Sequence, residues 1–149
     1  MTKRVLVPID GSPQSEAALS FAVSEWPDAE ITLLNVIDPV EAGYSASVVP
    51  SGSEEWYRKA RERAAEMFDR ARSEYDRSFS TQTEVGRPSR TIVDVADQSD
   101  VDHVVVGSHG REGVQRILLG SVAEHVVRRS PVPVTVVRQT GDDREGGGE

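Results

Sequence analysis

The chain has 149 residues, enough for one domain with a real core, and its lack of cysteine removes disulfides, cysteine-ligated metals and thiol nucleophiles from consideration. With 25 acidic against 17 basic residues the formal charge is −8, so a phosphate polymer would be repelled and nucleic acid is excluded as a partner. The apolar run in the amino-terminal MTKRVLVPID is too short for a signal peptide and no run approaches a membrane span, which predicts a soluble, cytoplasmic protein with no membrane partner.

Arg4 to Ile9 (RVLVPI) reads as a first strand that exits through Asp10-Gly11-Ser12. Ser12 followed by Pro13 makes an N-cap and N1 pair, and the helix after it carries Ala18, Phe21 and Ala22 as its apolar stripe. That helix is expected to stop at Trp26, because the residue before Pro27 disfavours the α region. Glu30 to Ile37 (EITLLNVI) is a second, nearly continuous apolar strand. Asp38 to Ser53 follows with no period, and two readings stand for it: a lid or binding segment, or a disordered connector.

Glu54 to Ser78 predicts the longest helix, with Trp56, Ala60, Ala64, Met67, Ala71 and Tyr75 down one face and a solvated Arg/Glu face opposite. Thr81 to Val85 alternates weakly, as an edge strand would, and Pro88 opens a helix with Ile92, Val95 and Ala96 inward. From Ser121 another helix places Val122, Ala123, Val126 and Val127 on one face and ends on Arg128-Arg129, near its negative pole. Pro131-Val132-Pro133 forces an extended entry to a last strand, Val134 to Arg138. The expected domain spans residues 1–138, with 139–149 (QTGDDREGGGE) an acidic tail that holds no apolar residue and is expected to be disordered.

Between these helices lies the most informative stretch, VVVGSHGREGVQRILLGS from Val104 to Ser121. Three β-branched valines in a row fit a strand buried on both faces, as in a parallel sheet. Gly107 and Gly110 let the backbone turn and approach a ligand closely. Ser121-Val122-Ala123-Glu124 has the spacing of a capping box, and a helix start facing a glycine-lined loop suits phosphate.

The alternation of strands and helices implies an α/β fold: a single Rossmann-like, open parallel sheet of five strands with helices on both faces. Ligands in such sheets sit beyond the carboxyl ends of the strands, where the strand order reverses. The first and fourth strands end in the two most polar, glycine-bearing turns. If those strands are neighbours, Asp10-Gly11-Ser12 and Gly107-Ser108-His109-Gly110 meet at one switch point.

The spacing Gly107-x2-Gly110-x9-Gly120-Ser121 resembles the ATP-binding signature of the universal stress proteins. VPIDGS at 7–12, LLNVID at 33–38 and SVAEHVVRRSPVPVTVVR at 121–138 are similar to that family too, so the resemblance covers the chain except the loop at 39–53 and the tail. It implies a strand order of 3-2-1-4-5, ATP (with or without Mg²⁺) or another adenine nucleotide at the switch point, and a homodimer joined through the last strand. Carried over by position, Asp10 would bond the ribose, with Pro8 and Ile9 beside the base and Val36 meeting the adenine through its backbone. Val106 would pack near the nucleotide, Gly107 and Gly110 would line the ribose and phosphates, and Gly120, Ser121 and Val122 would hold the phosphate chain. Glu112 departs from the pattern: pointing inward its carboxylate would oppose phosphate, pointing outward it is inert, and the intact glycines favour outward.

Plainer readings exist for several of these residues. Asp10 could only brace its turn, and Ser121 could only be an N-cap, worth about 1 kcal/mol. Arg111, Arg116 and His109 are candidate phosphate contacts but also ordinary surface residues, and Trp26 and Trp56 suit packing. His103, His109 and His125 lack metal-ligand spacing, so no metal site is expected. Three function classes follow. The first is an ATP-binding stress-response sensor or regulator that acts through a signalling partner. It is not an enzyme, since no nucleophile-base pair is visible and no Walker lysine follows Gly110; any ATP hydrolysis would be slow. The second is an adenylating enzyme of a related α/β class, which the loops Asp-Gly-Ser-Pro-Gln-Ser and Ser-His-Gly-Arg do not fit. The third is an interaction protein of this fold without nucleotide, which would not need the glycine pattern that is kept here.

Overall fold

The computed structural model describes residues 2–42, 53–108 and 119–139. Strand β1 (Arg4–Pro8) leads to helix α1 (Pro13–Glu25), strand β2 (Glu30–Ile37) and a 3₁₀ turn at Pro39–Ala42. After it come α2 (Ser53–Tyr75), β3 (Ser80–Val85), α3 (Pro88–Gln98), β4 (His103–Gly107), α4 (Ser121–Arg129) and β5 (Val134–Val137). The five strands form one parallel sheet of order β3-β2-β1-β4-β5. β1 and β4 are therefore neighbours, and the chain reverses its direction of winding between them.

The sheet is covered on both faces, which is why its inner strands are continuous apolar runs. On one face Val5, Val7, Ile9, Ile31, Leu33 and Val105 pack with Ala18, Leu19 and Ala22 of α1 and with Ala64, Phe68 and Ala71 of α2. On the other, Leu6, Leu34, Val104 and Val106 pack with Ile92, Val95 and Ala96 of α3 and with Ala123 and Val126 of α4. Each fully buried Leu or Val contributes about 1.5–3 kcal/mol of apolar burial.

Several expectations shift by a residue or a face. In α2 the inward aromatic is Phe68, while Trp56 and Met67 are only half-buried. In α1, Leu19 joins the buried stripe and Phe21 lies at its margin, edge-on to Trp26 at 6.0 Å. Val127 of α4 is 46% exposed and not part of the inward face, which Ala123 and Val126 form. The unpatterned stretch after β2 begins with structure. Asp38 accepts the amide of Val40 at 3.0 Å and Pro39 starts the 3₁₀ turn, as an N-cap and N1 pair would. The rest of that stretch, and the tail from residue 140, lie outside the described residues.

Candidate functional site

The exit of β1 is fastened by a dense set of hydrogen bonds. β1 ends at Pro8, paired with Leu34, and the Ile9 amide still donates to the Leu34 carbonyl at 2.8 Å. The Ile9 carbonyl in turn accepts from Nδ2 of Asn35 at 2.8 Å. Gly11 then takes φ +84°, a conformation open to glycine and costly for other residues. This swings Ser12 back so that its amide donates to Oδ1 of Asp10 at 2.9 Å. Ser12 is the N-cap of α1, its hydroxyl accepting the Ser15 amide at 3.1 Å. The Ser15 hydroxyl donates to the Ser12 carbonyl at 3.1 Å and accepts the Asp10 amide at 3.3 Å. One Asp10 oxygen therefore braces the turn, as the plainer reading had it. The other has no hydrogen-bond partner among the described residues, and the side chain is only half-buried.

The end of β4 lies beside this turn. A Cβ on Gly107 would stand 2.7 Å from the carbonyl carbon and oxygen of Gln14, so α1 itself occupies the space the missing side chain leaves. Glycine at 107 is therefore required by helix-strand packing, apart from any approach of a ligand to its backbone. Beyond Gly107 the Ser108 amide donates to Val137 at 2.9 Å, and the Ser108 carbonyl accepts the Gly120 amide at 2.7 Å. This last bond sets the start of α4 against the end of β4.

The capping box expected at Ser121 is not formed. Gly120 is the N-cap of α4, with extended φ −66° and ψ 162°, and Ser121 is already the first helical residue. Glu124 is one position too far along to reach back; its amide bonds the Gly120 carbonyl at 2.9 Å and its carboxylate pairs with Arg128 at 3.1 Å. Among the described residues no side chain caps α4, so the first-turn amides of Ser121, Val122 and Ala123 are left for an outside acceptor at the positive end of the helix dipole. The Ser121 hydroxyl is exposed, while Val122 packs on the core.

Val36, near the end of β2, and Val106, on β4, share the sheet face covered by α3 and α4. The Ile9 side chain is buried on the opposite face, so Ile9 borders the site through its backbone alone. Pro8, Asp10, Val36, Val106, Gly107, Gly120, Ser121 and Val122 thus all sit at the carboxyl ends of β1, β2 and β4 or at the start of α4. Gly110 lies outside the described residues, as do His109, Arg111, Glu112 and Arg116. His103 is at the far end of the sheet, its Nε2 2.7 Å from the Thr135 hydroxyl and its ring 4.8 Å from that of Trp26. His125 borders a groove of about 290 Å³ with Ser121, Glu124 and Arg128 on the outside of α4. Asn35, Ser15 and Gln14 are the residues that sequence reasoning passed over. The one signal for Asn35 was a polar residue interrupting LLNVI.

The universal stress protein family model matches residues 1–138. A universal stress protein of Methanocaldococcus jannaschii, MJ0577, is 34% identical over 93% of this chain and 96% of its own length. The solved structure of MJ0577 superposes with a TM-score of 0.77 at 35% identity, covering 93% of this chain and 96% of that one. UspA from Lactobacillus plantarum follows at 28% identity and a TM-score of 0.73, covering 91% and 97%. A universal stress protein crystallised in complex with cAMP is 26% identical with a TM-score of 0.62, covering 91% and 96%. With its whole sheet, both helical layers and the glycine-lined turns accounted for, the chain belongs to the universal stress protein family.

Proposed function

We propose that this universal stress protein binds an adenine nucleotide, ATP with or without Mg²⁺, across the carboxyl ends of β1, β2 and β4, and serves as a sensor or regulator without catalysing a reaction. The observation that carries this reading is the 2.7 Å bond from Gly120 to Ser108. It holds an uncapped helix start beside β4, the neighbour of the strand β1 that leads into Asp10. The amides of Ser121 and Val122 would take the phosphates, the second oxygen of Asp10 a ribose hydroxyl, and the Val36 backbone the base. Gly107 and Gly110 would line the path between them. An uncapped helix start is a ready anion site, and a carboxylate bonded to a hydroxyl is charge-assisted. The relative crystallised with cAMP supports an adenine ligand.

A binding role without catalysis is supported by the serines nearest Asp10. The hydroxyls of Ser12 and Ser15 are engaged in the start of α1, which leaves neither as a nucleophile beside a base. Edge strand β5, with half-buried Val134 and Val136, is where a second copy would join a dimer. Among the described residues no helix is long and apolar enough to cross a membrane, which suits a regulator working in the cytoplasm.

Calorimetric titration of nucleotide-stripped protein with ATP and Mg²⁺ tests the reading. Micromolar or tighter binding that fails in Asp10→Ala supports it, and no binding by the wild type overturns it.

A further inference from the structure

We propose that Asn35 is a positioning residue of the nucleotide site: its side-chain amide holds the Ile9–Asp10 bend in the orientation at which Asp10 meets the ribose. This rests on the nucleotide reading above and extends it to a residue on a different strand.

Asparagine is a poor choice for the middle of a parallel strand, where Leu33 and Leu34 show what the sheet itself prefers. Asn35 is 7% exposed, and a buried amide is tolerated only where it is hydrogen-bonded. Its partner is the Ile9 carbonyl, one residue beyond the last pair of the β1–β2 ladder. The ladder's own geometry ends at Pro8, yet the Ile9 amide is held by Leu34 and its carbonyl by Asn35. A side chain of β2 thus prolongs the grip on β1 to the peptide that launches Asp10. The remaining bonds of the turn run from Asp10 to Ser12 and Ser15, within the start of α1. Without Asn35 the Ile9 carbonyl has no partner among the described residues, and the Ile9–Asp10 peptide is tied on its α1 side alone, through the Asp10 amide to Ser15.

The distribution of buried polar side chains points the same way. Among the described residues there are four, Ser12, Ser15, Asn35 and Ser108, and all lie at the carboxyl edge of the sheet around the Asp10 turn. Ser12 and Ser108 belong to the two turns themselves, and Ser15 bonds to the first of them from within α1. Asn35 is the one contributed by β2, next to Val36, so it ties the base side of the site to the ribose side.

The test compares wild type, Asn35→Leu, Asn35→Asp and Asp10→Ala, each titrated with ATP and with 2′,3′-dideoxy-ATP. Leu keeps the branched shape of asparagine without a donor, and the near-isosteric Asp sets an acceptor against the Ile9 carbonyl. Circular dichroism confirms which variants are folded. Wild type is expected to prefer ATP by about tenfold. Both Asn35 variants should lose that preference, as Asp10→Ala does, while binding the dideoxy nucleotide as wild type does. Asp10→Ala combined with Asn35→Leu should lose nothing further. A folded Asn35 variant that keeps the preference, or that weakens both nucleotides equally, overturns the positioning role while leaving the site itself in place. Wild type that binds neither nucleotide overturns the site and this inference together, and wild type that binds both equally overturns the ribose contact on which Asn35 would act.

Discussion

Gly107 and Gln14 touch as closely as backbone allows: a Cβ at position 107 would lie 2.7 Å from the carbonyl carbon and oxygen of Gln14. The first turn of α1 therefore rests on the last residue of β4. This contact, as much as the pairing of β1 with β4, brings the two glycine-bearing turns to one place. Gly107→Ala is expected to destabilise the protein by about 1–3 kcal/mol, since backbone is the neighbour that must move. The loss should appear in denaturant melts without nucleotide. A variant as stable as wild type would return Gly107 to a purely ligand-facing role.

The two serines at helix starts should behave oppositely. Ser12 caps α1 through its hydroxyl, so Ser12→Ala should cost about 1 kcal/mol of folding stability. Ser121 is exposed and is not a cap, so Ser121→Ala should stay within about 0.5 kcal/mol of wild type. Urea melts of the two variants decide this, and equal losses would mean that Ser121 caps its helix after all.

The neighbours Leu33 and Leu34 are both fully buried but on opposite faces, one under α1 and α2 and the other under α3 and α4. Leu33→Ala and Leu34→Ala should each cost about 2–5 kcal/mol. A sheet with one solvated face would show the large loss at one position and almost none at the next.

His103 gives the fold a pH dependence. Burial, and then the positive charge of Lys3, hold its pKa below the ordinary 6.5. Its ring packs on Trp26, Lys3 lies 5.3 Å over that same ring, and Nε2 meets the Thr135 hydroxyl. The folded state keeps the neutral imidazole, so as pH falls the unfolded chain takes up the proton first. The contribution is complete above about pH 6.5 and is lost as pH falls from there through the lower folded pKa. Stability measured from about pH 8 to 5 should decline in wild type more than in His103→Gln. Parallel curves would show that His103 titrates alike in both states.

Much of the architecture was readable because it rests on local rules. The Ser12-Pro13 pair, the Trp26-Pro27 stop and the uninterrupted valines of β4 each have a single good solution, and the structure adopts it. The inward residues of α3 followed for the same reason. What escaped depends on neighbours distant in sequence. Whether Gly120 or Ser121 caps α4 is decided by the bond from Gly120 to Ser108, twelve residues back, which no S-x-x-E spacing encodes. Phe68 and Met67 are equally good apolar residues in α2, and the sheet selects Phe68 while Met67 turns towards Gly11. Asn35 passed unremarked in a nearly continuous apolar strand because its partner, Ile9, is 26 residues away. Of the site's surroundings, the placing of the Asp10 turn beside the end of β4 was legible, because alternating strands and helices imply a parallel sheet with a switch point. The reason for Gly107 was not, because Gln14 had to be in place first.

The most direct test of the central claim is amide chemical-shift mapping of the labelled protein titrated with ATP. The shifts should concentrate at residues 9–12, 36–38, 107–108 and 120–122, at the carboxyl ends of β1, β2 and β4 and the start of α4. The amides of Arg4, Glu30 and Asp100, at the opposite end of the sheet, should stay still. Shifts centred on that opposite end, or none at saturating ATP, would contradict a nucleotide site at the switch point.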